Sequence, residues 1–335
     1  MERASHGRRR RRQHRVRSCP VHRSRVLKTF LVRAAQLGAT LLVTWFVSTR
    51  AGLGLDDFQA LDLAAWTPNW ILIGVSVGIL LTGYFTTGLL WGRIVEDLGG
   101  PRVPPFRSIR LFMIANLGRY VPGKVFQIAA LAVLARKEGV SGATATAAAI
   151  AGQGVAIVAA TLLGLGSLWV LATGTVWQWL VPVALFGGVL IGLLPPVFRA
   201  VSGLWFRLAR SPQPAGLTSS AAVVWLAAAF GSWLLYAGSF WVLVRGLGLE
   251  AQVVPTASAF AAAYVLGYVM VFAPAGIGVR EGALLALLSP QLGPGAAGAV
   301  AVIARIWTTV VEVIPAAAFW TRHITTADGA PTSRD

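Results

Sequence analysis

Apolar residues in this chain fall into long continuous runs, with no sustained alternation of polar and apolar positions. Continuous runs of this length predict helices that cross a membrane, whereas a transmembrane β-barrel would alternate. The first run, Lys28–Ser48, carries Arg33 near its start, placed to snorkel to the headgroups. No small-residue cleavage site follows it, so it reads as a retained anchor and not as a signal peptide. Asn69–Trp91 gives 23 uncharged residues, enough to cross about 30 Å of hydrocarbon, with Trp70 and Trp91 where interfacial aromatics belong. Further runs predict spans at Ala143–Leu171, Val176–Leu194, Leu217–Val244 and Ala296–Trp320.

Two runs are interrupted. Leu111–Gly118 and Val125–Ala135 are each too short to span, and Arg119 to Lys124 divides them around a Tyr-Val-Pro-Gly break. Basic residues flank the pair on both sides, which predicts a re-entrant helical hairpin with Pro122 and Gly123 at its tip. Non-helical backbone is tolerated at membrane depth only where protein covers it or where it lines a wet cavity. About 150 residues later the pattern recurs: Pro255–Phe272, a break at Ala273–Gly278, then Val279–Leu288. A long span, a broken pair and an Ala/Gly-rich span therefore occur twice, at 69–91, 108–136 and 143–171 and again at 217–244, 255–290 and 296–320. The first set begins with an inward span and the second with an outward one, so the halves read as inverted repeats, a recurring transporter plan. The expected architecture is an all-α polytopic bundle of six to eight spans with two re-entrant hairpins.

Composition agrees: 56% of residues are hydrophobic and 12% are charged, about half the charged share of a soluble domain. The net charge of +17 would suit nucleic acid, but 12 of the 29 Lys and Arg lie in residues 1–33 and most others lie in short loops. That distribution is a topology signal and a contact with anionic lipid, so no nucleic-acid partner is expected. It divides the chain into a basic, disordered cytoplasmic tail (1–28), a membrane domain (29–322) and a polar tail (323–335). Thr49–Pro68, with three Asp and one Arg, and Gly246–Val254 read as external. Gly92–Arg110, with Arg93, Arg102, Arg107 and Arg110, and the loop holding Arg199, Arg207 and Arg210 read as cytoplasmic, which points to the plasma membrane with the N-terminus inside.

Ionisable groups at membrane depth cost about 2.5–3.5 kcal/mol or more each, so those present are candidate functional residues. Arg119, Lys124, Arg280, Glu281, Arg305 and Glu312 qualify, and Arg305 and Glu312 are seven apart, on one helix face. A structural reading pairs Arg280 or Arg305 with Glu281. The functional reading notes four cations against two anions, with helix N-termini starting after each break. Such termini carry partial positive charge and free N–H groups and suit a lipid phosphate. Glu281 and Glu312 would balance an arginine or accept an amine, while Asn116, Tyr120, Gln127 and Gln153 would supply neutral hydrogen bonds. Trp225, Trp233 and Trp241, spaced eight apart, read as packing or lipid-facing surface.

Other chemistry finds no support. The sequence holds no P-loop, no G-x-S-x-G and no His/Cys metal spacing. Its histidines (His6, His14, His22, His323) lie in the tails, and Asp56, Asp57 and Asp62 read as a solvated acidic loop. Cys19, the single cysteine, excludes an intrachain disulfide. No cofactor, metal or catalytic residue is expected.

The run Asn116-Leu-Gly-Arg-Tyr-Val-Pro-Gly-Lys124, with Arg136 and Gly139, Val140 and Ser141 downstream, resembles the first motif of the lysylphosphatidylglycerol synthase transmembrane region family of flippase-like membrane proteins. Pro274-Ala-Gly-Ile-Gly-Val-Arg-Glu-Gly282 resembles its second motif, and Arg305 falls where that family often has an arginine. The resemblance covers roughly residues 30–322. It implies a stand-alone flippase-like unit without the soluble synthase domain. The expected function is translocation of a phospholipid, aminoacyl-phospholipid or polyprenyl-linked lipid, with membrane lipids of anionic headgroup and a partner synthase as partners. Two alternatives stand beside it: a membrane-embedded transferase with Glu281 as general base, and an accessory subunit of a lipid-modifying synthase.

Overall fold

The computed structural model describes residues 66–120, 125–171, 194–208, 217–269, 276 and 278–328, with scattered positions between 180 and 192. The tail 1–28, the span Lys28–Ser48, most of Val176–Leu194, the tip Pro122 and Gly123, and Lys124 lie outside the described residues.

Nine α-helices and no strands occur among the described residues. α1 (Trp70–Asp97) starts where the Asn69 side chain accepts from the N–H groups of Ile71 and Leu72, at 3.1 and 3.2 Å. α2 (Pro105–Asn116) tightens into a 3₁₀ turn, Leu117–Tyr120, and α3 (Val125–Ala135) resumes beyond the first break. α4 (Gly142–Leu171) follows, then α5 (Pro195–Leu208). α6 (Ser219–Gly246) starts at Thr218, whose hydroxyl accepts from the Ala221 N–H at 3.2 Å. α7 (Val253–Val269) and α8 (Val279–Leu292) flank the second break, and α9 (Pro294–Asp328) closes the chain.

Trp70–Asp97, Gly142–Ser167, Ser219–Gly246 and Pro294–Trp320 are long and apolar enough to cross a membrane. They coincide with four of the six predicted spans; of the other two, Lys28–Ser48 falls wholly and Val176–Leu194 mostly on residues outside the description. At 12 and 11 residues, α2 and α3 reach only about 18 and 16 Å, so neither spans alone. The molecule is a multi-pass helical membrane bundle.

The halves pack by exchange. α1 and α6 run antiparallel along their length: the Asn69 N–H donates to the Gly246 carbonyl at 2.7 Å, and at the other end Trp225 Nε1 donates to Asp97 Oδ2 at 2.8 Å. Between these ends the hydroxyls of Thr86 and Ser232 meet at 2.9 Å. α7 lies against α4, where the Ser167 N–H donates to Ser258 Oγ at 2.8 Å. A Cβ on Gly164 would sit 2.8 Å from the Ala262 nitrogen, so only glycine lets these helices approach so closely. α2 lies correspondingly against α9, with the Phe106 and Phe319 rings 5.6 Å apart. The first helix of each broken pair, α2 or α7, thus rests on the last long helix of the other half, while the second, α3 or α8, packs on the last long helix of its own.

Several boundaries differ from expectation. α2 begins at Pro105 and not at Leu111, because proline at the first helical position is favourable there; Arg107 and Arg110 therefore sit on a helix, paired with Glu138 at 2.6 and 3.6 Å. Arg199 and Arg207 lie on α5, not in a loop, in a segment whose apolar and basic residues take opposite faces in the manner of an interfacial helix. Trp91 is not at a helix end: α1 continues six residues beyond it to Asp97, and Trp91 is 2% exposed. Trp225 and Trp233 are buried, so packing is the correct half of that reading for both.

Candidate functional site

Glu312 on α9 is the polar centre of the bundle and is 3% exposed. Arg119 Nη1, from the 3₁₀ turn after α2, approaches its Oε1 to 2.6 Å, and the Tyr120 hydroxyl donates to Oε2 at 2.6 Å. The Tyr84 hydroxyl, from α1, donates to Oε1 as well. One carboxylate therefore ties together α1, the first break and α9. A buried charge is tolerated when it is paired and hydrogen-bonded, and Glu312 has one guanidinium and two hydroxyl donors.

The first break is held by short contacts. Gln127 Nε2, on α3, donates to Asn116 Oδ1, at the end of α2, at 3.0 Å. A Cβ on Gly118 would lie 2.6 Å from the Gln127 nitrogen, so the turn closes only with glycine at that position.

Of the second break only Gly276 and Gly278 are described, and Gly278 is capped from within. Glu281 Oε2 accepts from the Gly278 N–H at 2.6 Å, and Gly278 has φ 85°. The N-terminus of α8 thus satisfies that donor with its own third residue. Glu281 Oε1 also lies 3.7 Å from Arg305 Nη1. The Arg305 guanidinium carbon stands 5.7 Å from the centroid of the Tyr120 ring, so Arg305 links the two breaks. Arg280 stands over the Phe260 ring at 4.7 Å. No carboxylate among the described residues lies within ion-pair range of it.

These groups surround one cavity of about 150 Å³. Of the residues singled out from sequence, Asn116, Arg119, Tyr120, Gln127, Gln153, Arg280, Arg305 and Glu312 line it. Glu281 sits behind the lining, holding Arg305 and the start of α8. Lys124 lies outside the described residues. The predicted common face of Arg305 and Glu312 holds, since both line the cavity, yet their ionic partners differ: Glu281 for one and Arg119 for the other. Gln153 Nε2 donates to the Tyr264 hydroxyl at 3.2 Å, joining α4 to α7. Among the described residues no group of three or more His, Cys, Asp or Glu is placed to hold a metal.

An aromatic wall escaped the sequence reading. Tyr84, Trp91, Trp233, Tyr236, Phe260 and Tyr264 all line the cavity. Trp233 packs edge-on against Tyr236 and Tyr264, with centroids 5.4 and 4.7 Å away. No spacing in α1, α6 or α7 marks these positions, because the helices are apolar on every face.

Comparisons with curated proteins and with solved structures found no match for this chain. The model of the lysylphosphatidylglycerol synthase TM region, by contrast, matches residues 26–316. It covers both broken pairs and every residue around Glu312, and the chain accordingly belongs to that family of integral membrane proteins tied to lipid modification.

Proposed function

We propose that this chain is a lipid translocator that carries a phosphate-bearing membrane lipid between leaflets. The observation that carries the reading is the cavity itself: three arginines and two carboxylates converge where both broken helix pairs meet the long helices. Charges at that depth are costly and persist where they serve a polar passenger or each other. Arg280 is the residue that would meet the lipid phosphate, with Arg119 and Arg305 nearby and Asn116, Tyr120, Gln127 and Gln153 supplying neutral hydrogen bonds. Lys124, which lies outside the described residues, would add a further positive charge. The broken pairs would act as re-entrant hairpins entering from opposite faces of the plasma membrane, with the N-terminus cytoplasmic, and would open the cavity to each side in turn. The antiparallel α1 and α6 pair supports such an inverted arrangement.

A transferase would need a free general base. Glu281, its candidate, is already committed to Gly278 and Arg305, so transport is the better-supported reading.

The test is lipid movement in proteoliposomes, followed with fluorescent phospholipids and an impermeant quencher. Wild type should equilibrate the leaflets, and Arg280→Ala or Glu281→Ala, folded by size-exclusion, should slow movement at least about tenfold, about 1.4 kcal/mol in the barrier. No movement of any anionic, aminoacylated or polyprenyl lipid by the wild type would overturn the proposal.

A further inference from the structure

Resting on the translocator reading, and narrowing its passenger, we infer that the cavity takes a hydroxylated phosphodiester headgroup carrying no amine. The charge inventory is the argument. Glu312 is served by Arg119, Tyr84 and Tyr120, and Glu281 is served by the Gly278 N–H and Arg305. Neither carboxylate is left over for an ammonium. Arg280 is the described lining cation without a carboxylate in ion-pair range, so the lining carries a surplus of positive charge.

The neutral lining points the same way. Gln127 and Gln153 line the cavity with one amide N–H each given to Asn116 and Tyr264, and each amide has a second N–H and an oxygen. A phosphodiester brings one negative charge and several oxygen acceptors, and these amides suit it together with a neutral hydroxyl, as on glycerol or a sugar.

An aromatic lining often marks a cage for quaternary ammonium. Here two ring faces already carry cations, Phe260 under Arg280 and Tyr120 under Arg305, and a third positive group would enter against both. An aminoacylated or choline headgroup is therefore excluded by the same charges that attract the phosphate.

The experiment is equilibrium binding to the full chain in detergent, read as ligand-dependent stabilisation against heat. The probes are dioctanoyl phosphatidylglycerol, phosphatidylethanolamine, phosphatidylcholine and lysylphosphatidylglycerol. Phosphatidylglycerol is expected to bind at least about tenfold more tightly than each ammonium lipid, about 1.4 kcal/mol. Equal or tighter binding of any ammonium lipid overturns the inference. Glycerophosphoglycerol, the same headgroup without chains, should compete weakly; equal competition would show a free phosphodiester and overturn a lipid ligand. Arg280→Gln should erase the preference, and Gln153→Leu, which removes a lining amide and no charge, should weaken phosphatidylglycerol while retaining selectivity. A preference unchanged in a folded Arg280→Gln variant overturns the role given to that residue. Binding is read without transport, so an ammonium preference would sink this inference alone, while absence of leaflet movement would sink the translocator reading alone.

Discussion

Arg119 and Glu312 lie 193 residues apart and meet at 2.6 Å, joining the first helix break to the last long helix. Removing one partner of a buried ion pair leaves an unpaired charge and costs about 3–5 kcal/mol, whereas removing both for apolar groups is often neutral. Glu312→Leu and Arg119→Met should each lower the unfolding midpoint in detergent strongly, and the double variant should recover much of the loss. Additive losses would mean that the two charges act separately.

Gly118 is the tightest point of the first break, with the Gln127 nitrogen 2.6 Å from where a Cβ would lie. Gly118→Ala should force α3 away from the end of α2 and destabilise by about 1–3 kcal/mol, the range for overpacking. Gly154→Ala on α4 is the control, since nothing lies within 4 Å of its Cβ position. It should be neutral or stabilising by up to about 1 kcal/mol through helix propensity. Thermal unfolding of the two variants side by side checks the contrast.

The antiparallel register of α1 and α6 is testable by cross-linking. Thr86 and Ser232 place their γ atoms together, their hydroxyls 2.9 Å apart. With Cys19 replaced by serine, Thr86→Cys with Ser232→Cys should form a disulfide under mild oxidation, seen as a mobility shift reversed by reductant. Thr86→Cys with Ser220→Cys, 12 residues nearer the start of α6, should not.

At the far end of the same pair, Trp225 donates to Asp97 at 2.8 Å. Trp225→Phe keeps most of the ring packing and removes the donor. The expected cost is about 0.5–1.5 kcal/mol, measured as a shift in denaturation midpoint. Asp97→Asn, which keeps an oxygen acceptor, should cost less.

What the sequence reveals here follows from the solvent. Water sorts the faces of a soluble helix, but lipid is as apolar as a packed interior, so α1, α6 and α7 carry no inward-facing signature. Tyr84, Trp91 and Trp233 were therefore illegible as cavity residues, and Trp91 was read as an interfacial ring. Charge behaves oppositely. Arg119, Arg280, Arg305 and Glu312 are expensive wherever they sit within an apolar run, so each announced itself, and all four line the cavity. Partner choice was less legible: Glu281 engages Arg305 rather than its neighbour Arg280, a choice fixed by the packing of α8 on α9. The long helices were readable by length, whereas the starts of α2 and α5 were hidden because proline reads equally as a stop and as a first residue.

The hydroxyls where α1 crosses α6 have a second partner each. Thr86 Oγ1 also has the Gly83 carbonyl oxygen at 2.9 Å and Ser232 Oγ the Ala228 carbonyl oxygen at 3.0 Å, so whichever hydroxyl gives its one proton across the crossing has another acceptor on its own helix, and Tyr236, which meets Thr87, donates to the Gly83 carbonyl at 2.9 Å. Thr86 and Ser232 thus have fallback acceptors on their own helices, so a small slide of the two helices would strand neither donor. The Glu312 cluster has no such reserve, since its donors come from other elements. The bundle thus pairs a lubricated bearing along its central crossing with a latch at its charged centre, and relative motion of the halves would be resisted at the latch far more than at the bearing.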